Sequence, residues 1–316
     1  MILVVALNPA LDITHQVECV DWAGVNRPAS VQAVPGGKGV NVARTLHALG
    51  TDVLLLVMAG GSTGHDVRLS LVAAGVPSVV TEIAGSTRRT FAVLDTKRNQ
   101  VALFNEPGPT ITAAEYARFQ DTFHEALVGC DAVILSGSVP AGMPASTYAD
   151  LIRAAATNGV PSFLDTSGDA LRCGVAARPA LVKPNHGELG VAVGRVVPWA
   201  GPADLPAVVE AAHELRARGP EAVVVSLGEA GLLAVTADGC WLAVPEAVTG
   251  NPTGAGDAVV AGLAHGYVLG RSWPERLRTA SALGAATAAA PTAGEFAHAD
   301  YVRALDGVEV TDLGQL

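Results

Sequence analysis

Residues 250–258 read Gly-Asn-Pro-Thr-Gly-Ala-Gly-Asp-Ala. The residues before them, Cys240–Val244, are apolar enough to predict a short strand. After them, apolar residues recur with helical spacing, at Val260, Leu263, Ala264, Tyr267 and Val268. The pattern therefore predicts a glycine-rich turn that opens a helix, with Asp257 in its first turn.

Such a turn has the properties of an anion site. Glycine lets the backbone approach a ligand closely, and the free N–H groups and dipole of a helix start favour negative charge, such as that of a phosphate. Asp257 beside that charge is placed to take a proton from an attacking hydroxyl. Two ordinary interpretations stay open here: an aspartate that only complements the helix dipole, and a glycine-rich loop without a ligand.

Composition limits the possible classes of protein. The chain has 316 residues, of which 50% are hydrophobic, and a net charge of −10. This length suits one α/β domain with an insertion, so we expect a single domain over residues 1–316. The absence of a basic run argues against nucleic acid as a partner. The cysteines lack metal-ligand or redox spacing, and we expect reduced thiols in a cytoplasmic protein.

Two apolar segments are candidates for targeting or membrane signals. Residues 2–7 are apolar, but they are too short for a signal peptide and lack a basic flank. Residues 279–294 are mostly Ala, Gly and Thr and contain Pro291. We therefore predict a packed helix before Pro291, and no membrane span.

A second glycine-rich stretch lies at residues 35–43, which read Pro-Gly-Gly-Lys-Gly-Val-Asn-Val-Ala. It is not a Walker A loop, because Gly39 follows the lysine where Ser or Thr is required. The spacing predicts a helix that starts here and ends at Gly50. Lys38 and Asn41 are its candidate ligand-binding side chains; the alternative is a tight turn with an exposed lysine.

Charged residues also follow or begin predicted strands. Asp12 follows the first strand and is placed to contact sugar hydroxyls, although a turn-forming aspartate after Asn-Pro is equally compatible. Residues 87–95 and 100–105 predict a hairpin that starts with Arg88 and Arg89. A pair of arginines can grip a phosphate, but charges also protect ordinary edge strands.

The remaining periodicity predicts an α/β fold with a doubly wound, mostly parallel sheet flanked by helices. Further strands are predicted at residues 2–7, 52–59, 79–83, 132–135, 160–164, 180–182 and 222–225. Further helices are predicted at residues 65–74, 113–128, 144–157, 206–218, 273–290 and 298–305. Small polar residues recur where these strands end, which is where such sheets bind ligands.

Seven motifs in a fixed order carry a family resemblance: Asn-Pro-Ala-x-Asp, Gly-Gly-Lys-Gly-x-Asn-x-Ala, Thr-Arg, Asn-Glu-Pro-Gly-Pro, Ser-Gly-Ser-x-Pro, Lys-Pro-Asn-x-x-Glu and Gly-Ala-Gly-Asp. They span nearly the whole chain, which resembles the ribokinase-like sugar kinases in the branch called phosphofructokinase B. The resemblance implies transfer of the terminal phosphate of ATP, with Mg²⁺, to a sugar-phosphate hydroxyl. Asp257 is then the catalytic base, and the N–H groups of Gly254, Ala255 and Gly256 form the anion hole.

The resemblance also implies the two sides of the site. On the nucleotide side it assigns Lys183, Asn185, Ser226, Gly228 and Gly231, and it assigns the metal, held mainly through water, to Asn185 and Glu188. On the sugar side it assigns Asp12, Gly37, Lys38, Asn41, Arg88, Arg27 and Ser138. Residues 13–34 and 87–105 are expected to form a small β-lid, which in relatives often joins two subunits and so implies a possible homodimer.

The resemblance is compatible with more than one acceptor. Val25-Asn26-Arg27 and Thr87-Arg88 favour fructose 1-phosphate, with tagatose 6-phosphate and fructose 6-phosphate as alternatives. A phosphosugar-binding regulator without turnover, and a kinase of phosphate-free sugars or nucleosides, are the other hypotheses. Thr253 departs from the small or apolar residue usual in relatives, and residues 283–294 offer no obvious polar side chain to an adenine.

Overall fold

A computed structural model describes residues 1–290, 292 and 294–314. Pro291, which directly follows the segment expected to pack as a helix, lies outside the described residues, as do residues 293, 315 and 316. In the described part of the chain, no helix has both the length and the apolar character needed to cross a bilayer.

The strands are β1 Ile2–Ala6, β2 Ala10–Val17, β3 Ser30–Gly36, β4 Val53–Ala59, β5 Ser78–Glu82, β6 Arg88–Asp95, β7 Gln100–Asn105, β8 Ala132–Ser136, β9 Ser162–Asp165, β10 Leu181–Val182, β11 Ala222–Ser226, β12 Leu232–Val235, β13 Cys240–Val244 and β14 Glu309–Gly314. The helices are α1 Lys38–Ala48, α2 Gly61–Ala73, α3 Ala113–Leu127, α4 Thr147–Thr157, α5 Gly168–Ala176, α6 His186–Val193, α7 Leu205–Ala217, α8 Ala255–Val268, α9 Trp273–Ala289 and α10 His298–Gly307.

Ten strands form the main sheet, in the order β14-β13-β12-β11-β10-β9-β8-β1-β4-β5. The strands from β11 to β5 pair in parallel, and β12, β13 and β14 add an antiparallel edge. The expected doubly wound, mostly parallel sheet is therefore confirmed.

The core lies on both faces of this sheet. Successive strand residues point to opposite faces, so Leu3 and Val5 of β1 pack into one cluster while Ile2 and Val4 pack into the other. Helices α3 to α7 cover the first face, and α1, α2, α8 and α9 cover the second. A strand with helices on both faces has no polar face, which explains the continuous apolar run of β1.

A separate four-stranded sheet has the order β3-β2-β6-β7. It draws its strands from residues 10–36 and 88–105, the two segments expected to form a lid. Its register places Asp12 opposite Thr90, and Thr90 opposite Asn105. These three side chains therefore share one face of the small sheet. Closure of this sheet over a ligand stays a prediction.

Several predicted bounds were wrong. Helix α2 begins at Gly61 and not at residue 65, because the Gly60 carbonyl already accepts from the Gly64 N–H. Helix α4 begins at Thr147, three residues later than predicted. Strands β12 and β14 and helices α5 and α6 were not predicted. The two helices are short, with nine and eight residues, and each contains glycine, so their apolar periodicity is weak.

Candidate functional site

A cavity of about 250 Å³ opens at the carboxyl ends of β1, β8 and β9, beside the small sheet. Its polar lining comes from eight residues in separate parts of the sequence: Asn8, Lys38, Arg88, Asn105, Ser136, Ser138, Thr166 and Ser167. Ligands of open α/β sheets bind at this edge, where strand ends and their loops converge. The cavity is therefore the candidate active site.

The parallel register of β1 and β8 explains why two of these side chains meet. Val5 lies opposite Leu135. The two residues that lie three positions after Val5 and Leu135 are therefore also side by side. Those residues are Asn8 and Ser138, and the Asn8 Nδ2 donates a hydrogen bond to the Ser138 Oγ over 2.9 Å. The predicted sugar-side residue Ser138 thus lies in the cavity, with a partner that the sequence did not reveal.

Glycines seat helix α1 against the start of the cavity. Gly37 precedes the helix with a φ of 88°, a conformation that favours glycine. A Cβ at Gly39 would lie 2.8 Å from the Val5 carbonyl oxygen, so only glycine lets α1 approach β1 this closely. Lys38 is the first helical residue and lines the cavity.

One buried carboxylate holds two lysines. Asp165, only 1% exposed at the end of β9, has its Oδ1 3.2 Å from the Lys38 Nζ and 3.5 Å from the Lys183 Nζ. Burial opposes the charge of Lys38, but the carboxylates of Asp165, Glu188 and Asp257 outweigh it and raise the Lys38 pKa. Lys38 was predicted on the sugar side and Lys183 on the nucleotide side, so Asp165 joins the two sides.

The glycine-rich turn before α8 has the predicted form. Gly254 adopts a left-handed conformation with a φ of 87°, and α8 begins at the next residue with Asp257 in its first turn. The Ala255 N–H donates to the Pro252 carbonyl over 3.1 Å, so this amide is already engaged. The amides of Gly254 and Gly256 have no acceptor in the described part of the chain. A Cβ at Gly256 would lie 3.6 Å from the Lys183 Nζ, which places this turn beside that lysine.

Asp257 is buried and poised near neutrality. Burial raises the pKa of its carboxyl to about 7, and the neighbouring charge of Asp165 adds to this rise. A hydrogen bond from the Asn41 Nδ2 to the Asp257 Oδ2, 2.9 Å long, and the charges of Lys38 and Lys183 act in the opposite direction. A carboxylate with a pKa near the working pH suits general base catalysis.

Asp12 and Arg88 lie close together on β2 and β6, the two inner strands of the small sheet. Burial raises the pKa of Asp12, against a hydrogen bond with Thr90 and the charge of Arg88. The Arg88 Nε donates to the Asn8 carbonyl over 3.4 Å, and its guanidinium lines the cavity. Arg89 instead pairs with Glu106, with the Arg89 Nη2 3.0 Å from the Glu106 Oε1. The structure thus brings Arg88, and not Arg89, to the cavity.

Arg27 is not brought to the cavity. It lies in the exposed loop between β2 and β3 and is absent from the cavity lining. Its predicted contact with a ligand therefore needs a movement of the small sheet or a second copy of the chain.

The residues predicted for the nucleotide and the metal cluster at the ends of β10 and β11. Asn185 and Glu188 form a reciprocal cap at the start of α6: the Asn185 Oδ1 accepts from the Glu188 N–H over 2.8 Å, and the Glu188 Oε2 accepts from the Asn185 N–H over 2.9 Å. A parallel bridge joins Asn185 to Ser226. Gly228 and Gly231 follow in the turn before β12, both with positive φ.

These residues fit a magnesium ion held mainly by water and phosphate. The Glu188 Oε1 does not take part in the cap and faces the cavity side, 4.0 Å from the Lys38 Nζ. Among the described residues, no group of three or more His, Cys, Asp or Glu side chains has metal-site geometry. Mg²⁺ commonly uses one or two carboxylates and substrate phosphates while it keeps several waters, so this sparse set of donors suits it.

Sequence reasoning missed six polar residues of the site: Asn8, Asn105, Ser136, Asp165, Thr166 and Ser167. A signal was present for Asp165 and Thr166, because they begin a polar segment at the end of a predicted strand. The hydroxyl of Thr166 is buried without a protein partner in the described part of the chain, so its hydrogen-bonding capacity is open to a ligand or to water. Asn8 and Asn105 each begin a motif of the family resemblance, but their meeting in one cavity depends on strand pairing, which no local pattern reveals.

Comparison with known proteins agrees with this geometry. A family model described as pfkB family carbohydrate kinase matches residues 5–299. A 1-phosphofructokinase of Rhodobacter capsulatus is 39% identical over 288 residues, which cover 90% of each chain. An ATP-dependent 6-phosphofructokinase isozyme 2 of Mycobacterium tuberculosis is 38% identical over 322 residues, which cover 99% of this chain and 92% of the relative.

A solved structure extends the likeness to the fold. Phosphofructokinase-2 from Escherichia coli, crystallised in complex with substrates and products, is 30% identical with a TM-score of 0.89, over 96% of this chain and 98% of that chain. The family match covers far more than half of the chain, and both curated relatives exceed 30% identity over most of its length. The chain therefore belongs to the pfkB family of carbohydrate kinases and is a sugar-phosphate kinase.

Proposed function

We propose that this kinase transfers the terminal phosphate of ATP to the 6-hydroxyl of fructose 1-phosphate, forming fructose 1,6-bisphosphate and ADP. The observation that supports the proposed chemistry is the state of Asp257. It is a buried carboxylate with a pKa of about 7, in the first turn of the helix that follows the glycine-rich turn. The nearby cavity, with Lys38 and Arg88 in its lining, supplies the positive charge that a phosphosugar needs.

Asp257 acts as the general base in this proposal. Its carboxylate accepts the proton of the acceptor hydroxyl as that oxygen attacks the phosphorus, which makes the oxygen a better nucleophile. The bond from Asn41 fixes one carboxylate oxygen, so the other is the one offered to the substrate. Phosphoryl transfer depends mainly on positioning and on charge stabilisation, and a fixed carboxylate meets the first requirement.

The turn before α8 provides the charge stabilisation that phosphoryl transfer requires. The N–H groups of Gly254 and Gly256 are the donors that we assign to the migrating phosphoryl group, since the Ala255 N–H is engaged with Pro252. Lys183 lies beside the same turn and adds a fixed positive charge. Such preorganised donors stabilise charge that develops in the transition state.

On the nucleotide side, we assign ATP to Lys183, Asn185, Ser226, Gly228 and Gly231. Asn185 and Glu188 are the residues that would hold magnesium, chiefly through water. When bound, that ion would neutralise phosphate charge. On the sugar side, we assign Asp12 and Asn41 to the sugar, Gly37 to its backbone contact, and Lys38, Arg88 and Ser138 to the phosphate. Arg27 would join them only from a closed sheet or from a second subunit.

The preference for fructose 1-phosphate rests on the Val-Asn-Arg and Thr-Arg motifs and on similarity to a 1-phosphofructokinase. Fructose 6-phosphate is the second candidate, because a 6-phosphofructokinase isozyme is almost equally similar. A furanose with a phosphate on either end can lie in one site in two orientations. Tagatose 6-phosphate belongs to the same chemical class.

A specificity comparison tests this proposal. Purified protein is incubated with Mg²⁺-ATP and each of fructose 1-phosphate, fructose 6-phosphate, tagatose 6-phosphate and fructose, and ADP release is measured across sugar concentrations. We expect the highest kcat/KM with fructose 1-phosphate and almost no turnover with fructose. A higher value with either 6-phosphate would reassign the acceptor, and an absence of ADP with every phosphosugar would favour a regulator that binds without turnover.

A further inference from the structure

Asn8 stands between two of the groups assigned to the phosphosugar. Its side-chain Nδ2 donates to the Ser138 Oγ over 2.9 Å, and its backbone carbonyl accepts from the Arg88 Nε over 3.4 Å. Asn8 itself lines the cavity but was given no role by sequence motifs. One residue at the end of β1 thus contacts both the hydroxyl and the guanidinium that face the ligand.

The direction of the bond to Ser138 has a chemical consequence. A side-chain NH₂ can only donate, whereas a hydroxyl has one hydrogen and two acceptor lone pairs. When the Ser138 Oγ accepts from Asn8, its single hydrogen is left to point elsewhere. Ser138 is exposed to the cavity, so that hydrogen is available to an anionic oxygen of a ligand.

The surroundings of Asn8 constrain the orientation of its amide group. The Asn8 Oδ1 is buried and has no hydrogen-bond partner in the described part of the chain. It packs against Gly108, where an added Cβ would lie only 2.2 Å away. The side chain therefore directs its NH₂ group to Ser138, while its Oδ1 lies against Gly108.

We propose that Asn8 is a positioning residue that fixes the Ser138 hydroxyl as a hydrogen-bond donor to the phosphate group of the bound phosphosugar. The inference rests on the proposed function and deepens it, because it assigns a recognition role to a residue that touches Ser138. Asn8 acts through Ser138 and takes no part in the proton transfer at Asp257.

Two substitutions separate shape from direction. Asn8→Asp keeps the shape of the side chain but replaces the NH₂ donor with a carboxylate oxygen, which can only accept. The Ser138 hydroxyl then donates its hydrogen to this carboxylate and no longer points it into the cavity. Asn8→Ala removes the partner and leaves the hydroxyl free to rotate. We expect Asn8→Ala to raise the KM for fructose 1-phosphate roughly twofold to tenfold, the range of one hydrogen bond. Asn8→Asp should raise it further, while the KM for ATP and kcat stay close to wild type.

The same Asn8 substitutions are also made in a protein that carries Ser138→Ala. In that background the Asn8→Ala substitution should have almost no further effect on the KM for the phosphosugar, because the hydroxyl that Asn8 orients is gone. The difference between Asn8→Asp and Asn8→Ala should also shrink to the contribution of charge alone. If both Asn8 substitutions raise KM by the same factor with and without Ser138, the inference is wrong.

A binding measurement keeps this inference distinct from the proposed reaction. The rise in the thermal unfolding midpoint caused by fructose 1-phosphate, without ATP, is measured for the same six proteins. A wild type that is stabilised but gives no ADP would refute the proposed reaction, and the pattern across the variants would still decide the role of Asn8. Absence of both turnover and stabilisation by any of the three ketohexose phosphates overturns both. Ligand-free midpoints identify variants that are only poorly folded, and Asn8→Asp, the closest in shape, then carries the test.

Discussion

The Asn41 Nδ2 donates a hydrogen bond to the Asp257 Oδ2 over 2.9 Å, and both side chains are buried. The bond joins α1, which follows the first glycine-rich turn, to the first turn of α8, which follows the second. It favours the ionised carboxylate, against the burial that raises the pKa of Asp257. Asn41 therefore contributes to the base as well as to the sugar side that the sequence suggested.

Replacing Asn41 should move the pH dependence of the reaction. Asn41→Ala removes a donor to a buried carboxylate, so the pKa of Asp257 rises further and the base ionises at higher pH. We expect the ascending limb of the kcat/KM profile to shift upward by about one pH unit, the size of one hydrogen bond to a charged group. Thr45→Ala, a buried polar truncation on the same helix without a bond to Asp257, is the control. If the ascending limb does not shift in Asn41→Ala, the hydrogen bond from Asn41 does not set the pKa of Asp257.

The two neighbouring arginines should behave differently. Arg88 lines the cavity, whereas Arg89 is paired with Glu106. Arg88→Ala should raise the KM for the phosphosugar about tenfold to a hundredfold, because a charge-assisted hydrogen bond is lost. Arg89→Ala, the matched control, should change it less than about threefold. Equal effects of both substitutions in steady-state kinetics would move the phosphate site away from Arg88.

The shared carboxylate of Asp165 should matter for stability. Asp165→Asn leaves the buried Lys183 without its 3.5 Å partner, and an unpaired buried charge is costly. We expect a loss of about 3 kcal/mol in the free energy of unfolding, measured by urea titration at pH 7. Asp169→Asn breaks an exposed pair with Arg172 and should cost less than about 1 kcal/mol. Similar losses in the two variants would show that Lys183 does not depend on Asp165.

The small sheet carries an exposed apolar face that we propose as the contact of a homodimer. Val31 and Phe104 lie on the same face by the strand register, and each is more than half exposed. Phe104→Glu should lower the sedimentation coefficient to that of a monomer. Val128→Glu alters an equally apolar exposed side chain at the end of α3 and should leave the assembly unchanged. A monomeric wild type, or a Phe104→Glu dimer, would contradict this assignment.

Local patterns predicted the parts of the molecule that depend on local chemistry. The two glycine-rich turns were readable because left-handed or closely packed backbone restricts the residue type, as at Gly254 and Gly39. The alternation of strands and helices predicted the main sheet. The Asn185-to-Glu188 motif was interpreted only as a nucleotide and metal signature, although its spacing is also that of a helix cap, and α6 was missed for that reason.

The contacts that local patterns did not predict depend on the order of the strands in the sheet. Asp165 reaches Lys38 and Lys183 only because β9 lies between β8 and β10, with α1 at its end. Asn8 reaches Ser138 only because β1 and β8 pair in one register. The contacts of Asp165 with Lys38 and of Asn8 with Ser138 join residues more than a hundred positions apart, so composition and periodicity along the chain carry no record of them.

The raised pKa of Asp257 also predicts how stability varies with pH. Between about pH 4 and pH 7 the folded protein holds a proton that the unfolded chain, with an ordinary aspartate pKa, releases. The free energy of unfolding contributed by this group therefore falls as the pH rises through that window. Asp257→Asn cannot ionise, so urea unfolding at pH 5 and pH 8 should show a smaller fall than in the wild type. An equal fall in the variant would place the titrating group elsewhere.

In the proposed reaction, Asp257 is the base that accepts the proton of the acceptor hydroxyl. The measurement is the single-turnover rate of phosphoryl transfer from ATP to fructose 1-phosphate, at saturating sugar, in the wild type and in Asp257→Asn. We predict a rate about a hundredfold to ten-thousandfold lower in the variant, with ATP affinity and the folded circular dichroism spectrum retained. A variant that transfers phosphate at nearly the wild-type rate would contradict the account.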